Sequence, residues 1–345
     1  MIRVLVVDDS AYNRVAISRM LANHPEMEVT DTAGNGEEAI RKVMRLRPDV
    51  ITLDLEMAGM DGFSVLRWLA ANMPTPTVVV SAKHSDRNVF KALEMGAVDF
   101  VPKPTGKASP LLHQMERDLI AKVLSAAQAR VAPAPLPPEP RPPIPPPESR
   151  PGAFEVVVIG ASTGGPPTLQ KIFSALPKLE VPMVIAQHMP PVFTTLFAER
   201  LDRVIGGMTV KEAVADGPLE PATIYVTAGG LHSSVENRAG RPWLRVVPRK
   251  ENDLYCPSVN HLFSSAARAF RERAAGVLLT GMGDDGAEGL LEMHQAGAYC
   301  IAESMESAVI YGMPAEAVRL GAVHSVLPAW QISSALVQLL HRKKP

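Results

Sequence analysis

The segment RVLVVDDS, residues 3–10, is a short apolar run rich in valine that ends on two aspartates. Four further runs of this kind follow along the first part of the chain: EVTDTA (28–33), VITLDL (50–55), TVVVSA (77–82) and DFVPKP (99–104). Stretches with helical spacing of apolar residues separate them. Strands that alternate with helices predict an α/β fold with a five-stranded, doubly wound parallel sheet over residues 1–130.

Polar residues stand at the carboxyl ends of these predicted strands, where a parallel α/β sheet binds its ligands. They are Asp8, Asp9, Asp54, Ser81 and Lys103. Three carboxylates in one pocket need a cation, and oxygen ligands of this kind suit Mg²⁺ or Mn²⁺. A lysine and a hydroxyl beside them could hold phosphoryl oxygens. Each aspartate alone is equally well a helix cap or turn residue, but the five in this order favour a site.

Residues 131–153 differ in composition from the rest of the chain. Eleven of the 21 residues from Val131 to Pro151 are proline. Such a segment favours extended polyproline II and acts as a semi-rigid spacer. We therefore predict a linker over residues 131–153 between a domain at 1–130 and a second domain at 154–345. A ligand for proline-binding domains is the less favoured interpretation.

Composition excludes several classes of protein. The 345 residues include 35 Lys+Arg and 36 Asp+Glu, so the net charge of -1 gives no reason to expect nucleic acid as a partner. Cys256 and Cys300 lie far apart in the sequence and lack CxxC spacing, so neither a disulfide framework nor a zinc site is required. This fits a reducing compartment. The apolar start of the chain breaks on two aspartates, and no run reaches the ~18 apolar residues of a membrane span. We expect a cytoplasmic protein without membrane insertion.

The second part begins with FEVVVIGASTGGPPT, residues 154–168, an apolar strand that enters a glycine-rich turn and a helix. Gly160, Ser162 and Gly164 fit G-x-S-x-G, a turn that can expose a serine nucleophile. Turns of this kind equally bind phosphate. A second strand, VPMVIAQHMPP (181–191), ends at His188, which is either structural or the base that a serine nucleophile needs.

A third strand and turn lie in AAGVLLTGMGDDGAEGLLEMHQAG, residues 274–297. Its glycines satisfy G-x-G-x-x-G, and Glu303 stands near the distance of a ribose-binding acid, which together indicate a dinucleotide site. Asp284 and Asp285 would repel a pyrophosphate there. An ionised aspartate at a helix end instead suits the support of a histidine.

A Ser-His-Asp set on a Rossmann-like sheet is the result. Its chain order, Ser162, His188, Asp285, differs from that of α/β-hydrolases, in which the acid precedes the histidine. The remaining histidines of this part, His232, His261 and His294, are predicted to be structural.

The first part resembles the receiver domain of two-component response regulators, on the strength of Asp8, Asp9, Asp54, Ser81, Lys103 and the sequence DLEMAGMDG around Asp54. The resemblance implies a flavodoxin-like fold in which Asp54 is phosphorylated. It implies Mg²⁺ held by Asp9, Asp54 and the backbone carbonyl of Glu56, with Asp8 nearby. Ser81 and Lys103 would contact the phosphoryl group, and Phe100 matches the switch position.

The second part resembles the catalytic domain of the chemotaxis protein-glutamate methylesterase/glutaminase family, CheB, through IGASTGG, AQHMPP, LLTGMGDDG and YGMP. The resemblance implies Ser162 as nucleophile, His188 as base and Asp285 as orienting acid. The adjacent Asp284 occupies a position that is commonly asparagine in the family. Backbone amides of His188 and Met282 are implied for the oxyanion hole.

The resemblance also implies a function. A chemotaxis histidine kinase would phosphorylate the receiver in the presence of Mg²⁺. The unphosphorylated receiver would pack over the active site, and phosphorylation would relieve this block. The enzyme would then demethylate glutamate esters and deamidate glutamines on chemoreceptor helices, with no cofactor for hydrolysis. The alternative is a response regulator whose second domain binds a nucleotide or a partner without catalysis.

Overall fold

The computed structural model describes residues 1–82, 86–103, 109–129 and 154–340. The chain divides into two compact units, Met1–Pro137 and Pro138–Pro345. The proline-rich segment 131–153, predicted as a linker, lies outside the described residues. The domain boundaries at residues 130 and 154 therefore remain predictions.

The first unit is a five-stranded parallel sheet with helices between its strands, as predicted. In chain order its elements are β1 (Ile2–Val7), α1 (Ala11–Ala22), β2 (Met27–Ala33), α2 (Gly36–Leu46), β3 (Val50–Leu53), α3 (Gly62–Asn72), β4 (Thr77–Ala82), α4 (Asp86–Glu94), β5 (Asp99–Lys103) and α5 (Ser109–Ala127). The strand order is β2-β1-β3-β4-β5. Because β1 and β3 lie inside the sheet, their apolar residues are buried and both can end on charged residues at one edge.

Short polar residues start the first three helices of this unit. Ser10, Asn35 and Asp61 each accept a hydrogen bond from a backbone N–H three residues further on. Such caps satisfy amides that would otherwise lack partners at a helix start. They fix the point at which the chain leaves the sheet edge that carries the acidic residues.

The second unit contains a seven-stranded parallel sheet and a smaller antiparallel sheet. Its elements are β6 (Val156–Ala161), α6 (Gly165–Ser174), β7 (Met183–Gln187), α7 (Phe193–Val204), β8 (Thr209–Ala213), β9 (Gly217–Pro218), β10 (Thr223–Thr227), β11 (Leu231–Arg238), β12 (Arg241–Pro248), α8 (Val259–Phe270), β13 (Ala274–Leu278), α9 (Ala287–Gln295), β14 (Tyr299–Glu303), α10 (Met313–Arg319), β15 (Ser325–Leu327) and α11 (Ala329–Leu340). The large sheet has the order β15-β14-β13-β6-β7-β10-β8, and β11-β12-β9 form the small one.

Strand order sets where a ligand can bind in the large sheet. β6 is followed in the chain by its neighbour β7 on one side, whereas β13 joins β6 on the other side much later in the sequence. The order reverses at β6, and crevices at such switch points open at the carboxyl ends of the strands. Ser162, His188 and the turn after β13 all follow strands that end there.

Gly160 permits α8 to pack directly on β6. A Cβ at this position would lie 2.1 Å from Cγ1 of the fully buried Val259, the first residue of α8. We expect Gly160→Ala to lower the free energy of unfolding by about 1–3 kcal/mol, because a buried β-branched neighbour cannot move aside. Gly206→Ala, at a glycine with open space around it, is the control. Equal urea midpoints for the two variants would contradict this packing.

Candidate active site and acidic receiver site

Three carboxylates meet at the edge of the first sheet. Oxygens of Asp8, Asp9 and Asp54 lie within 4.8 Å of one another; Asp8 and Asp54 are buried and Asp9 is exposed. Backbone pairing brings this about, since the N–H of Asp54 donates to the carbonyl of Val7. Arg14 donates to the backbone carbonyls of Asp8 (2.7 Å) and Asp9 (3.0 Å) and so fixes the loop after β1.

Lys103 lies between the two buried carboxylates. Its Nζ is 2.7 Å from Asp8 Oδ2 and 2.5 Å from Asp54 Oδ2. Burial lowers the pKa of Lys103, but hydrogen bonds to Asp54 and Asp8 outweigh it and the net direction is upward. The lysine therefore stays charged beside the acidic cluster at neutral pH.

The other residues predicted for this site are close by. Ser81, at the end of β4, is buried, and within the described part of the chain its hydroxyl has no hydrogen-bond partner. The N–H of Glu56 donates to Asp54 Oδ1 at 3.2 Å, so the backbone of Glu56 adjoins the cluster. Phe100 is buried on β5, edge-to-face with Phe90.

Ser162 follows β6 at the start of the glycine-rich turn. Its N–H donates to the carbonyl of Thr280 at 2.9 Å, which ties this turn to the one after β13. Gly164 has φ +79°, a left-handed conformation that favours glycine, and α6 begins at the next residue. The serine hydroxyl is thus presented at the carboxyl end of the sheet.

His188 joins Ser162 to Asp285. Its Nδ1 lies 3.1 Å from Ser162 Oγ, and its Nε2 lies 2.8 Å from Asp285 Oδ2. The side chain of His188 is 14% exposed and that of Asp285 is 2% exposed, so the polar contacts are largely shielded from water. The structure brings the three predicted residues into one hydrogen-bonded chain.

Asp285 is held by the start of α8. The N–H groups of Val259 and Asn260 donate to its carboxylate at 2.7 and 2.9 Å, and the Ser258 hydroxyl donates at 3.1 Å. Burial raises the pKa of Asp285, but the bonds from His188, Asn260 and Val259 outweigh it and the pKa lies below its ordinary value. The helix that stabilises the anion is α8, rather than the following helix α9 expected from sequence.

The start of α9 is bound to the start of α8 as well. Asn260 Oδ1 accepts from the N–H groups of Gly286 and Gly289, at 2.9 and 2.8 Å. Asn260 therefore donates to Asp285 through its backbone N–H and accepts from Gly286 and Gly289 through its side chain. The adjacent Asp284 is exposed whereas Asp285 is buried, so the two neighbouring aspartates differ in their access to water.

One oxyanion expectation needs correction. The backbone N–H of His188 donates to the carbonyl of Ala161 at 3.0 Å as part of the sheet, so it is not directed at a substrate. The turn that carries Met282 does run close to the serine: a Cβ on Gly281 would lie 2.7 Å from Ser162 Cβ. The role of Met282 stays a prediction.

Besides Ser258 and Asn260, two residues that contact the Ser–His pair were not identified from sequence. Tyr255 stacks on His188, with ring centroids 4.7 Å apart and planes 3° from parallel. Burial, followed by the charges of Asp284 and Asp285, raises the pKa of Tyr255 and keeps its phenol neutral. Gln187 donates from Nε2 to the carbonyls of Ser162 (2.9 Å) and His188 (3.2 Å). Gln187 could have been identified from the sequence, because it is a polar residue in an otherwise apolar strand; the sequence around Tyr255 offered no such indication.

Glu303 is not available to a nucleotide. It is fully buried, accepts from the N–H of Thr280 at 2.8 Å and accepts from the Ser307 hydroxyl at 2.8 Å. The ribose-binding acid of the dinucleotide interpretation is therefore part of the interior. The glycines nearby have packing reasons of their own, since a Cβ on Gly286 would lie 2.5 Å from Val259 Cγ1.

Comparisons with known proteins identify the families of the two units. Residues 157–336 match the family model described as CheB methylesterase, and residues 4–115 match that of the response regulator receiver domain. Fold and sites define a response regulator with an α/β enzyme domain as its output. The chain belongs to the CheB methylesterase family. No described helix has both the length and the apolar composition needed to cross a membrane.

Two curated relatives align with nearly the whole chain. Protein-glutamate methylesterase/protein-glutamine glutaminase 1 of Myxococcus xanthus is 42% identical over 344 residues, 99% of this chain and 98% of the relative. The corresponding protein 3 of Geobacter sulfurreducens is 40% identical over 360 residues, 98% of this chain and 97% of the relative. The CheB methylesterase catalytic domain of Thermotoga maritima is 35% identical with a TM-score of 0.52, covering 55% of this chain and all of that domain.

Glu303 makes stability depend on pH. Burial is the largest cause that raises its pKa, from 4.5 to about 7. Folded protein then holds a proton that unfolded chain releases above pH 4.5, so the free energy of unfolding should fall as pH rises from 4.5 to 7. Relative to Glu303→Gln, the wild type should lose about 3 kcal/mol across this window and nothing more above it.

Urea denaturation at several pH values measures this difference. Glu288→Gln, at an exposed glutamate of α9, controls for the loss of a carboxylate. A constant difference between wild type and Glu303→Gln from pH 4 to 8 would contradict the prediction.

Proposed function

We propose that this protein is a phosphorylation-activated protein-glutamate methylesterase and protein-glutamine glutaminase that acts on chemoreceptors in the cytoplasm. The observation that carries the proposal is the hydrogen-bonded chain Ser162–His188–Asp285 at the carboxyl end of a parallel sheet. The substrate class is supported by the similarity of nearly the whole chain to proteins that are named for this activity.

Asp285 determines which ring nitrogen of His188 carries the proton. Because the carboxylate is ionised and accepts from Nε2–H, the other ring nitrogen, Nδ1, has a lone pair directed at the Ser162 hydroxyl. Tyr255 holds the ring plane by stacking, and Gln187 fixes the backbone on both sides of the Ser–His contact. The base is therefore oriented before substrate binds.

Acyl transfer follows from this arrangement. His188 Nδ1 takes the Ser162 proton as Oγ attacks the side-chain carbonyl carbon of a glutamate methyl ester. The tetrahedral intermediate collapses, His188 returns the proton to the methoxy oxygen, and methanol leaves. Backbone amides around Met282 are proposed to stabilise the oxyanion.

Water completes the cycle. His188 removes one proton from a water that attacks the acyl-enzyme, and Ser162 Oγ leaves with that proton; the glutamic acid that forms releases its remaining proton to solvent and becomes a carboxylate. With glutamine the leaving group is ammonia, which takes its proton from His188. These residues supply nucleophile, base and orienting acid, so we propose that hydrolysis requires no cofactor.

The acidic cluster suits phosphorylation by a chemotaxis histidine kinase. Three carboxylates within 4.8 Å are hard oxygen donors of the kind that Mg²⁺ prefers. Asp9, Asp54 and the Glu56 carbonyl would hold the ion, with Asp8 nearby, and it would neutralise phosphoryl charge during transfer. Asp54 would accept the phosphoryl group, and Ser81 and Lys103 would contact its oxygens.

Ser162→Ala removes the nucleophile without disturbing the sheet, since the serine side chain is not part of the core. We expect methanol release from methylated receptor to fall at least about 1,000-fold, with thermal unfolding unchanged. Ser174→Ala, at an exposed serine of α6, is the control. Methanol release retained by Ser162→Ala would rule out this nucleophile.

Asp54→Asn removes the phosphorylation site. We expect basal methanol release to persist and its stimulation by a small-molecule phosphodonor with Mg²⁺ to disappear, because an amide cannot accept the phosphoryl group. The control is Asp49→Asn, at an exposed aspartate directly before β3, the strand that Asp54 follows. Stimulation that survives in Asp54→Asn would argue against relay through Asp54.

A further inference from the structure

A second histidine–aspartate pair lies behind the first. His232, on β11, is only 4% exposed, and its Nε2 lies 2.8 Å from Asp253 Oδ2. The N–H of Ser258 donates to its Nδ1 at 3.1 Å. Nδ1 therefore carries no proton, and Nε2–H donates to Asp253. Asp253 is itself fixed by the N–H of Lys250, at 2.6 Å.

Ser258 connects this pair to Asp285. It is the N-cap of α8, and its hydroxyl accepts from the N–H of His261 while it donates to Asp285 Oδ1. Its own N–H precedes the helix and has no carbonyl partner within it, so His232 supplies the acceptor. The backbone N–H and the hydroxyl of Ser258 are thereby both fixed.

The position of Asp285 depends on this first turn. Three of its hydrogen bonds come from consecutive residues, Ser258, Val259 and Asn260. A shift of the turn would displace all three donors together. The carboxylate would then move relative to His188 Nε2, and the Nδ1 lone pair would turn away from Ser162.

We infer that His232, oriented by Asp253, is a positioning residue: it fixes Ser258 and, through the first turn of α8, keeps Asp285 aligned with His188. It touches no reacting atom. The inference rests on the proposed function, in that its kinetic readout is ester hydrolysis. It concerns the orientation of His188, which can also be observed without substrate.

Three variants of the full-length protein separate this role from mere filling of the interior. His232→Leu removes both hydrogen bonds, and Ser258→Ala removes only the hydroxyl. His232→Asn keeps an acceptor near the position of Nδ1 and loses the bond to Asp253. His294→Asn is the matched control; the ring of His294 lies 4.4 Å from that of His324, tilted by 38°, elsewhere in the same unit.

We expect His232→Leu to lower kcat for methanol release by about 10- to 100-fold with little change in KM, because a misdirected base slows the chemistry rather than binding. His232→Asn should recover most of the lost kcat, and His294→Asn should match wild type. The double variant His232→Leu/Ser258→Ala should be no slower than the slower single variant, since both changes act through one turn.

The spectroscopic readout is the downfield proton NMR signal of the His188 ring N–H that binds Asp285, assigned by its loss in Asp285→Asn. It should move or broaden in His232→Leu and stay in place in His294→Asn. Circular dichroism and thermal unfolding check that each variant folds.

Two results would overturn the inference: a folded His232→Leu with wild-type kcat and an unmoved signal, or a loss of kcat that His232→Asn fails to recover. If wild type releases no methanol and the signal still moves in His232→Leu, the proposed function fails while the positioning role stands.

Discussion

A buried, ionised carboxylate needs hydrogen-bond donors, and in the second unit Asp285 sets this requirement for the residues that contact it. It is 2% exposed and receives hydrogen bonds from His188, Ser258, Val259 and Asn260. Helix α8 must begin at this point for those donors to converge. Gly160 must lack a side chain so that the helix can approach β6 this closely. The geometry of the Ser–His contact follows from an electrostatic condition on one residue.

The two units use the same arrangement for different chemistry. In each, parallel strands deliver polar residues to their carboxyl ends, and neighbouring strands bring together residues that are far apart in sequence. In the first unit the result is an acidic cluster with Lys103 bound to Asp8 and Asp54. In the second unit the result is a hydrogen-bonded chain of Ser162, His188 and Asp285.

The sequence predicted the parallel sheets because valine-rich runs, glycine turns and polar strand ends are local signals. The antiparallel sheet of β9, β11 and β12 was not predicted from the sequence. Asp285 could not be separated from Asp284 by chemistry, since only packing against α8 buries one and exposes the other. The helix that stabilises Asp285 was assigned to the wrong neighbour because sequence places α9 beside it, whereas α8 reaches it through the fold. The amide of His188 was assigned to the oxyanion hole without knowledge of its partner Ala161.

The reciprocal bonds between the starts of α8 and α9 have a consequence for how this enzyme can evolve. The N–H groups at the start of α8 donate to the Asp285 carboxylate, and those at the start of α9 donate to the side-chain oxygen of Asn260. The carboxylate that contacts His188 is therefore also the acceptor for the N–H groups at the start of α8. Substitution at this position therefore changes two things together, the contact with His188 and the acceptor for the first turn of α8.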